Sequence, residues 1–325
     1  MIKQAELKKT ASTRDGFGQG LLEVAKTNPK VVALSADLTE SLRMTEFARY
    51  YPDRFIQVGV AEQNLIGAAA GLALGGKIPF AASFAVFSPG RSWGQIRVSV
   101  AYSNLNVKIV GGHAGLTTGA DGATHQALED IALMRVLPNM KVVVPCDAEQ
   151  TRQAVHALAD DIGPAYLRIS RPKTPTLTRS DNFILGKAQI LRQGVDATII
   201  ACGELVSQAV QAANLLAEAG KSIRVINMHT IKPLDKDAIL QAAVETGIIL
   251  TAEDHQMIGG LGSAVAEVLA QANLTQLKQP IKFKIIGVED CFGESGQAEE
   301  LLKKYQLDAA SLAQQLKLLL RQKQK

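Results

Sequence analysis

No block of single-sign charge runs through this 325-residue sequence, which sets 35 Lys and Arg against 31 Asp and Glu for a net charge of +4. Any affinity for anions must come from a local site, and a nucleic-acid binder is not indicated. Long apolar runs are missing too. The richest stretch, 65–80, is broken by Gly, Pro and Lys and is too short for a bilayer, so no membrane anchor is expected. The opening residues mix Lys and Glu without an apolar segment, unlike a secretory signal, which makes the cytoplasm the expected location. Cysteine is scarce. Cys146, Cys202 and Cys291 lie far apart, with no Cys-x-x-Cys pair and no His at ligand spacing. Neither a disulfide framework nor a zinc site is suggested, and all three read as reduced core thiols. Aromatic residues are few, at 5%, whereas hydrophobic residues reach 47% and Gly 27 copies. That is the composition of a soluble α/β protein, and the length suits two domains.

Apolar runs of strand length alternate with helical patterns along almost the whole chain, the signature of parallel sheets covered by helices. The spacing predicts strands over 31–35, 54–58, 78–82, 107–110, 141–144 and 166–169, with helices over 16–26, 61–74, 91–102 and 148–159. The stretch 171–187 turns Pro- and Thr-rich and loses its apolar period, as a linker does. Beyond it, strands are predicted over 197–201, 222–227, 247–251 and 283–287, with helices over 205–219 and 264–272. The closing stretch, 307–325, reads as a solvated helix ending in a basic tail.

Three constellations can carry chemistry. In Phe55-Ile-Gln-Val-Gly-Val-Ala-Glu-Gln-Asn64, a strand runs into Glu62 at the opening of a Gly/Ala-rich helix. An acid there is ordinarily a partner of the helix dipole, but the carboxyl end of a parallel strand is also where α/β sheets place ligands. In apolar surroundings such a carboxyl could share a proton with a ligand nitrogen. Val110 to His125 puts His113, Asp121 and His125 on one Gly-rich loop directly after a strand, with imidazoles able to bond and move protons near neutrality. Their His-x7-Asp-x3-His spacing fixes no metal geometry, so the metal reading is set aside. Phe84 and Phe87, just past a strand end, read either as core or as the walls of a slot for a flat ring. Gly259-Gly-Leu-Gly-Ser-Ala264 lacks the third Gly of a dinucleotide fingerprint and the acid that should follow it, and no Walker loop, nucleophile elbow or His-Glu-x-x-His is present.

Taken together, Ser35-Ala-Asp-Leu-Thr-Glu-Ser41, Gly59-Val-Ala-Glu-Gln-Asn64, Ser83-Phe-Ala-Val-Phe87 and Gly119-Ala-Asp-Gly-Ala-Thr-His-Gln126 resemble the pyrimidine-binding half of transketolase. Asp254-His255 and the Gly-Gly-Leu-Gly run extend the likeness into the C-terminal domain. The resemblance implies an α/β fold of two domains: a pyrimidine-binding parallel-sheet domain over 1–175, a linker over 176–187 and a smaller transketolase C-terminal domain over 188–325. It implies thiamine diphosphate as cofactor. In the family, the acid matching Glu62 bonds the aminopyrimidine ring and promotes loss of the thiazolium proton. Phe84 and Phe87 would line the pyrimidine slot, and Asp37 would lie near the cationic ring. Arg14, Ser41, His113 and Arg171 match positions that hold a sugar phosphate. Asp121 and His125 match residues that contact the sugar oxygens, with His125 as a proton carrier. Gly90 stands where the family has a further aromatic, and Ala114 and Ala120 where it often has acids.

Thiamine enzymes grip the diphosphate through Mg²⁺ at a Gly-Asp-Gly motif followed by an Asn, because a divalent ion must neutralise the phosphates. The sequence has no Gly-Asp-Gly; the nearest match, Ala120-Asp-Gly, belongs to the His loop. No metal ligand is therefore assigned to this chain. The expectation is the C-terminal subunit of a split transketolase, with an N-terminal subunit supplying the diphosphate and Mg²⁺ site, as an α2β2 assembly acting on sugar phosphates of the pentose phosphate route or a dedicated catabolism. The alternatives are a subunit resembling 1-deoxyxylulose-5-phosphate synthase or the pyruvate dehydrogenase beta chain, and a non-catalytic regulatory paralogue.

Overall fold

The computed structural model describes residues 10–179, 183–272 and 280–321. The first half runs β1 (Thr10–Ser12), α1 (Thr13–Thr27), β2 (Val31–Ser35), α2 (Thr45–Tyr50), β3 (Phe55–Gln57), α3 (Glu62–Leu74), β4 (Ile78–Phe84), the helical turn α4 (Trp93–Gln95), β5 (Lys108–Gly112), α5 (Asp130–Arg135), β6 (Lys141–Val143), α6 (Ala148–Asp160), β7 (Ala165–Arg168) and β8 (Lys173–Pro175). The second runs β9 (Gln189–Arg192), β10 (Ala197–Ala201), α7 (Leu205–Glu218), β11 (Ile223–Asn227), β12 (Thr230–Lys232), α8 (Lys236–Thr246), β13 (Ile248–Gln256), α9 (Leu261–Gln271), β14 (Lys282–Val288), α10 (Ala298–Lys304) and α11 (Ala309–Arg321).

Among the described residues, one sheet has seven strands in the order β12-β6-β7-β5-β4-β2-β3, and a second has five in the order β14-β13-β10-β11-β9. All pairings in the large sheet are parallel except β12 with β6, and in the small one all except β9 with β11. Every residue of β2, β4 and β5 is buried, as strands with helices on both faces require. Local chemistry sets the helix starts. Ser12 and Asp15 close a capping box on α1, and Asp147 caps α6 by accepting from the Gln150 amide.

The two sheets are not separate beads. β12, from beyond residue 188, completes the large sheet, and Val32, Ile109 and Val142 share one apolar cluster with Ile200, Ile226 and Ile249 of the small one. In the Pro- and Thr-rich stretch, β8 pairs antiparallel with β1. Leu177 and Thr178 are buried there, their amides donating to the Asp147 carboxylate at 2.7 and 2.9 Å.

Several local expectations change. β4 extends to Phe84, so that residue closes the strand instead of following it. The helix expected over 91–102 becomes α4 followed by a π-helical stretch, Ile96–Tyr102. β13 reaches Gln256, placing Asp254 and His255 inside a strand. The closing helix is not merely solvated: α11 buries Leu312, Ala313 and Leu316 against the second domain's core, while residues 322–325 of the basic tail lie outside the described residues. Cys146 and Cys202 are buried, but Cys291 is exposed, because it follows β14 into an open turn.

Candidate active site

Five connections at the carboxyl edge of the large sheet bear the candidate residues. The loop after β2 carries Asp37, Ser41 and Arg43, the turn after β3 leads to Glu62, and the end of β4 carries Phe84 and Phe87. The loop after β5 carries His113, Asp121 and His125, and β7 leads to Arg171. Parallel topology explains this gathering, since each strand delivers its following loop to the same edge. Arg14, in the first turn of α1, joins them through its Nη1, which donates to the Ser41 carbonyl at 3.1 Å.

Glu62 is the first residue of α3, reached from β3 through Gly59, whose φ of 71° suits a residue without Cβ. Its side chain is 3% exposed, and the helix has no side-chain cap at the preceding Ala61. Its only ion-pair partner among the described residues is Arg91, at a loose 3.5 Å, whose own side chain is 59% exposed. So weak and wet a pair compensates little for burying a carboxylate, and leaves room for a further hydrogen-bonding partner.

Phe84 and Phe87 stack with ring centroids 6.2 Å apart. The Phe84 ring lies 3.9 Å from the His113 imidazole, and Phe87 meets His125 edge-on at 5.4 Å. Arg91 links this group to Glu62, with its guanidinium carbon 5.7 Å from the Phe87 centroid. Two aromatic walls beside a buried carboxyl suit a flat heterocycle bearing a ring nitrogen. Gly90 does not extend those walls: a Cβ there would lie 2.2 Å from the Val86 carbonyl oxygen, so the backbone excludes any aromatic at this position. Ala114, unlike the exposed Gly90, is fully buried, packed with Ala85 and Ala127, where an acid would have no solvent.

A basic cluster faces the other side of the His loop. His113 is buried, and among the described residues neither its Nδ1 nor the buried Nε of Arg14 has a hydrogen-bond partner. Burial, and then the charges of Arg14 and Arg171, push the His113 pKa down to about 3, so the ring is neutral near pH 7. Burial and the neighbouring Arg43 lower the pKa of Arg14. Arg171 donates to the Thr118 carbonyl at 3.0 Å and pairs with Asp121 at 3.4 Å; Arg43 pairs with Asp15 at 2.7 Å. His125 is half-buried, with Nδ1 3.0 Å from the Thr124 hydroxyl. An orphaned buried guanidinium N–H beside further crowded guanidinium groups is what an anionic, oxygen-rich ligand would satisfy.

The structure thus brings together Arg14, Ser41, Phe84, Phe87, His113, Asp121, His125 and Arg171, and connects Glu62 through Arg91. It does not bring Asp37 into that group. Asp37 is exposed, with a φ of 60°, and its amide donates to the Gln57 side chain at 2.7 Å. Nor do His113, Asp121 and His125 converge as metal ligands would: among the described residues no group of three or more His, Cys, Asp or Glu could hold a metal ion. Sequence reasoning missed Arg43 and Arg91. The signal for Arg43 was its place two residues past Ser41; for Arg91 nothing in the sequence pointed to Glu62.

The family of transketolase pyrimidine-binding domains matches residues 9–176, and that of transketolase C-terminal domains matches 186–312. The chain belongs to the transketolase family. It is 47% identical over 306 residues to a Methanocaldococcus jannaschii protein whose provisional name is transketolase C-terminal section, covering 93% of this chain and 94% of that one. It is 44% identical over 300 residues to a Clostridium protein, 6-deoxy-6-sulfo-D-fructose transketolase subunit, covering 92% of this chain and 91% of that one. Among solved structures it resembles a split-gene transketolase described as an inactive beta4 tetramer, with a TM-score of 0.87 and 46% identity, covering 95% of this chain and 98% of that one. The chain is therefore a C-terminal subunit of the split transketolase type, in a family that depends on thiamine diphosphate.

Proposed function

We propose that this chain works with an N-terminal subunit as a thiamine diphosphate-dependent transketolase, moving a two-carbon ketol unit from a ketose phosphate to an aldose or aldose phosphate. The observation that carries the reading is the alignment, along one sheet edge, of a buried and nearly unpartnered Glu62, the stacked Phe84 and Phe87, and a basic pocket with an orphaned guanidinium N–H. The first two suit the aminopyrimidine, the third an anionic sugar.

When bound, thiamine diphosphate supplies the nucleophilic carbon that accepts the two-carbon unit. This chain's residues do the rest of what it can do alone. Glu62 would hold a proton against the pyrimidine ring, Phe84 and Phe87 would confine that ring and exclude water, and Asp37, apart from these on the exposed loop after β2, would lie near the cofactor's cationic ring. Arg14, Ser41, His113 and Arg171 grip the sugar's anionic end, the neutral imidazole of His113 adding a hydrogen bond without a charge. Asp121 and His125 meet the sugar oxygens, His125 carrying a proton on or off. Mg²⁺ and the diphosphate are held by the N-terminal subunit, because no Gly-Asp-Gly is present here. An α2β2 assembly, a cytoplasmic location and the boundaries 1–175, 176–187 and 188–325 belong to the same reading. The Clostridium relative's sulfonated sugar supports an anion-ended ketose, with phosphate as this chain's expected form.

The test mixes the purified chain with candidate N-terminal subunits, thiamine diphosphate and Mg²⁺, and follows two-carbon transfer from xylulose 5-phosphate. Activity is expected from the mixture only. Glu62→Gln and Glu62→Ala should abolish transfer with the fold intact, and near-normal turnover in either would overturn the role of Glu62.

A further inference from the structure

The second domain supplies none of the candidate site residues, yet it grips the loop that carries three of them. Gly115 has a φ of 84°, and a Cβ there would lie 2.2 Å from Oδ2 of Asp254, so the carboxylate occupies the space that glycine leaves free. Its two oxygens accept from successive loop amides, Leu116 at 2.9 Å and Thr117 at 3.1 Å. The Thr117 hydroxyl donates to Glu204 at 3.0 Å. The grip extends along the loop. Thr118 donates back to the His113 carbonyl at 2.5 Å, and Gln126 binds the carbonyls of Leu116, Gly119 and, in the second domain, Glu294. Behind the loop, the Gln256 amide donates to the Leu128 carbonyl at 2.8 Å, and Arg168 bridges the carbonyls of Asp254 and Ala127.

We propose that Asp254, backed by Glu204, is a positioning residue, through which the second domain sets where His113, Asp121 and His125 stand. A bidentate carboxylate at the root of a Gly-rich loop suits the task, because it ties two successive backbone amides at once where glycine leaves the chain free to turn. Asp254 and Glu204 are 2% and 4% exposed, so water does not compete for these bonds. Burial, and then the adjacent Asp254, raise the Glu204 pKa to about 8, which lessens the repulsion between the two acids near neutrality.

The test compares the full chain with Asp254→Asn by hydrogen exchange and by NMR of the His113 ring. Asn keeps the shape but turns one acceptor into a donor facing an amide. Exchange at Leu116 and Thr117 should quicken about tenfold or more, and the ring-current shift that Phe84 imposes on His113 should shrink, with the strands of both sheets still protected. Unchanged exchange and an unchanged His113 shift would overturn the proposal. If Asp254→Asn does not fold, Thr117→Val, which removes only the bond to Glu204, should move the same two readouts by a smaller factor, and no movement would be equally decisive. A kinetic arm, resting on the proposed reaction, uses the two-subunit complex: the sugar KM should rise about tenfold while cofactor affinity is unchanged. A parent complex without two-carbon transfer would defeat that reaction and leave the exchange and NMR result to decide on Asp254.

Discussion

His113 should stay uncharged in the folded chain far below the pH at which a free histidine protonates. Its pKa drops from 6.5 to about 3 because the ring is buried and looks onto Arg14 and Arg171. As pH falls past about 6.5, the unfolded chain takes up a proton here that the folded chain refuses, so folding stability declines until about pH 3, where the folded ring protonates as well. Between about pH 7.5 and about pH 5.0 this one group should remove ~2 kcal/mol of stability. Urea unfolding of the wild type and of His113→Gln at the two pH values measures it. The wild type should lose about 2 kcal/mol more than the variant. His229, also buried with its pKa lowered to about 4, contributes equally to both proteins and cancels from the difference. Equal losses, or an NMR titration of the His113 ring with a midpoint above about pH 5.5, would refute the reasoning. The consequence for the site is direct: a ring that refuses a proton can meet an anion or a hydroxyl as a hydrogen-bonding group without adding a fixed charge.

Other residues give separate tests. Gly115→Ala would press a methyl into the Asp254 carboxylate at a positive φ, and should lower stability by at least about 2 kcal/mol in thermal or chemical melting. Asp147→Ala removes the cap of α6 and the acceptors of Leu177 and Thr178, and should cost about 3 kcal/mol while exposing the stretch after β8 to protease. Arg171→Met in the two-subunit complex should raise the KM for a phosphorylated acceptor about tenfold and leave an uncharged aldose nearly unaffected. Equal effects on both would show that Arg171 holds the loop, through Thr118, more than it holds the anion.

Legibility in the sequence followed how local the cause was. β2, β10 and α6 could be read because their patterns are short-range: runs of buried aliphatics, or an Asp cap ahead of an amphipathic turn. α5 and β12 were not anticipated. α5 is six residues long, and β12 exists because β6 offers it an edge to pair with. The terminal helix was misjudged for a related reason. Its Leu/Gln/Lys pattern fits a solvated helix, and only the position of α7 makes Leu312 and Leu316 core residues. Phe84 is expected just beyond a strand over 78–82, whereas pairing with β5 carries the strand on to it.

By itself the sequence determined the α/β alternation, the resemblance that names the family, and the identity of the groups able to do chemistry, from Glu62 to Arg171. These are properties of residue type and spacing, which survive without coordinates. Tertiary structure alone decided which of them meet. It stacked Phe84 on Phe87, made His113 a neutral base among arginines, kept Asp37 apart, and seated the His loop on Asp254 from the other domain. Parallel strands bring distant loops to one edge, and burial then sets their charge and hydrogen bonding, an outcome of packing that no stretch of sequence contains.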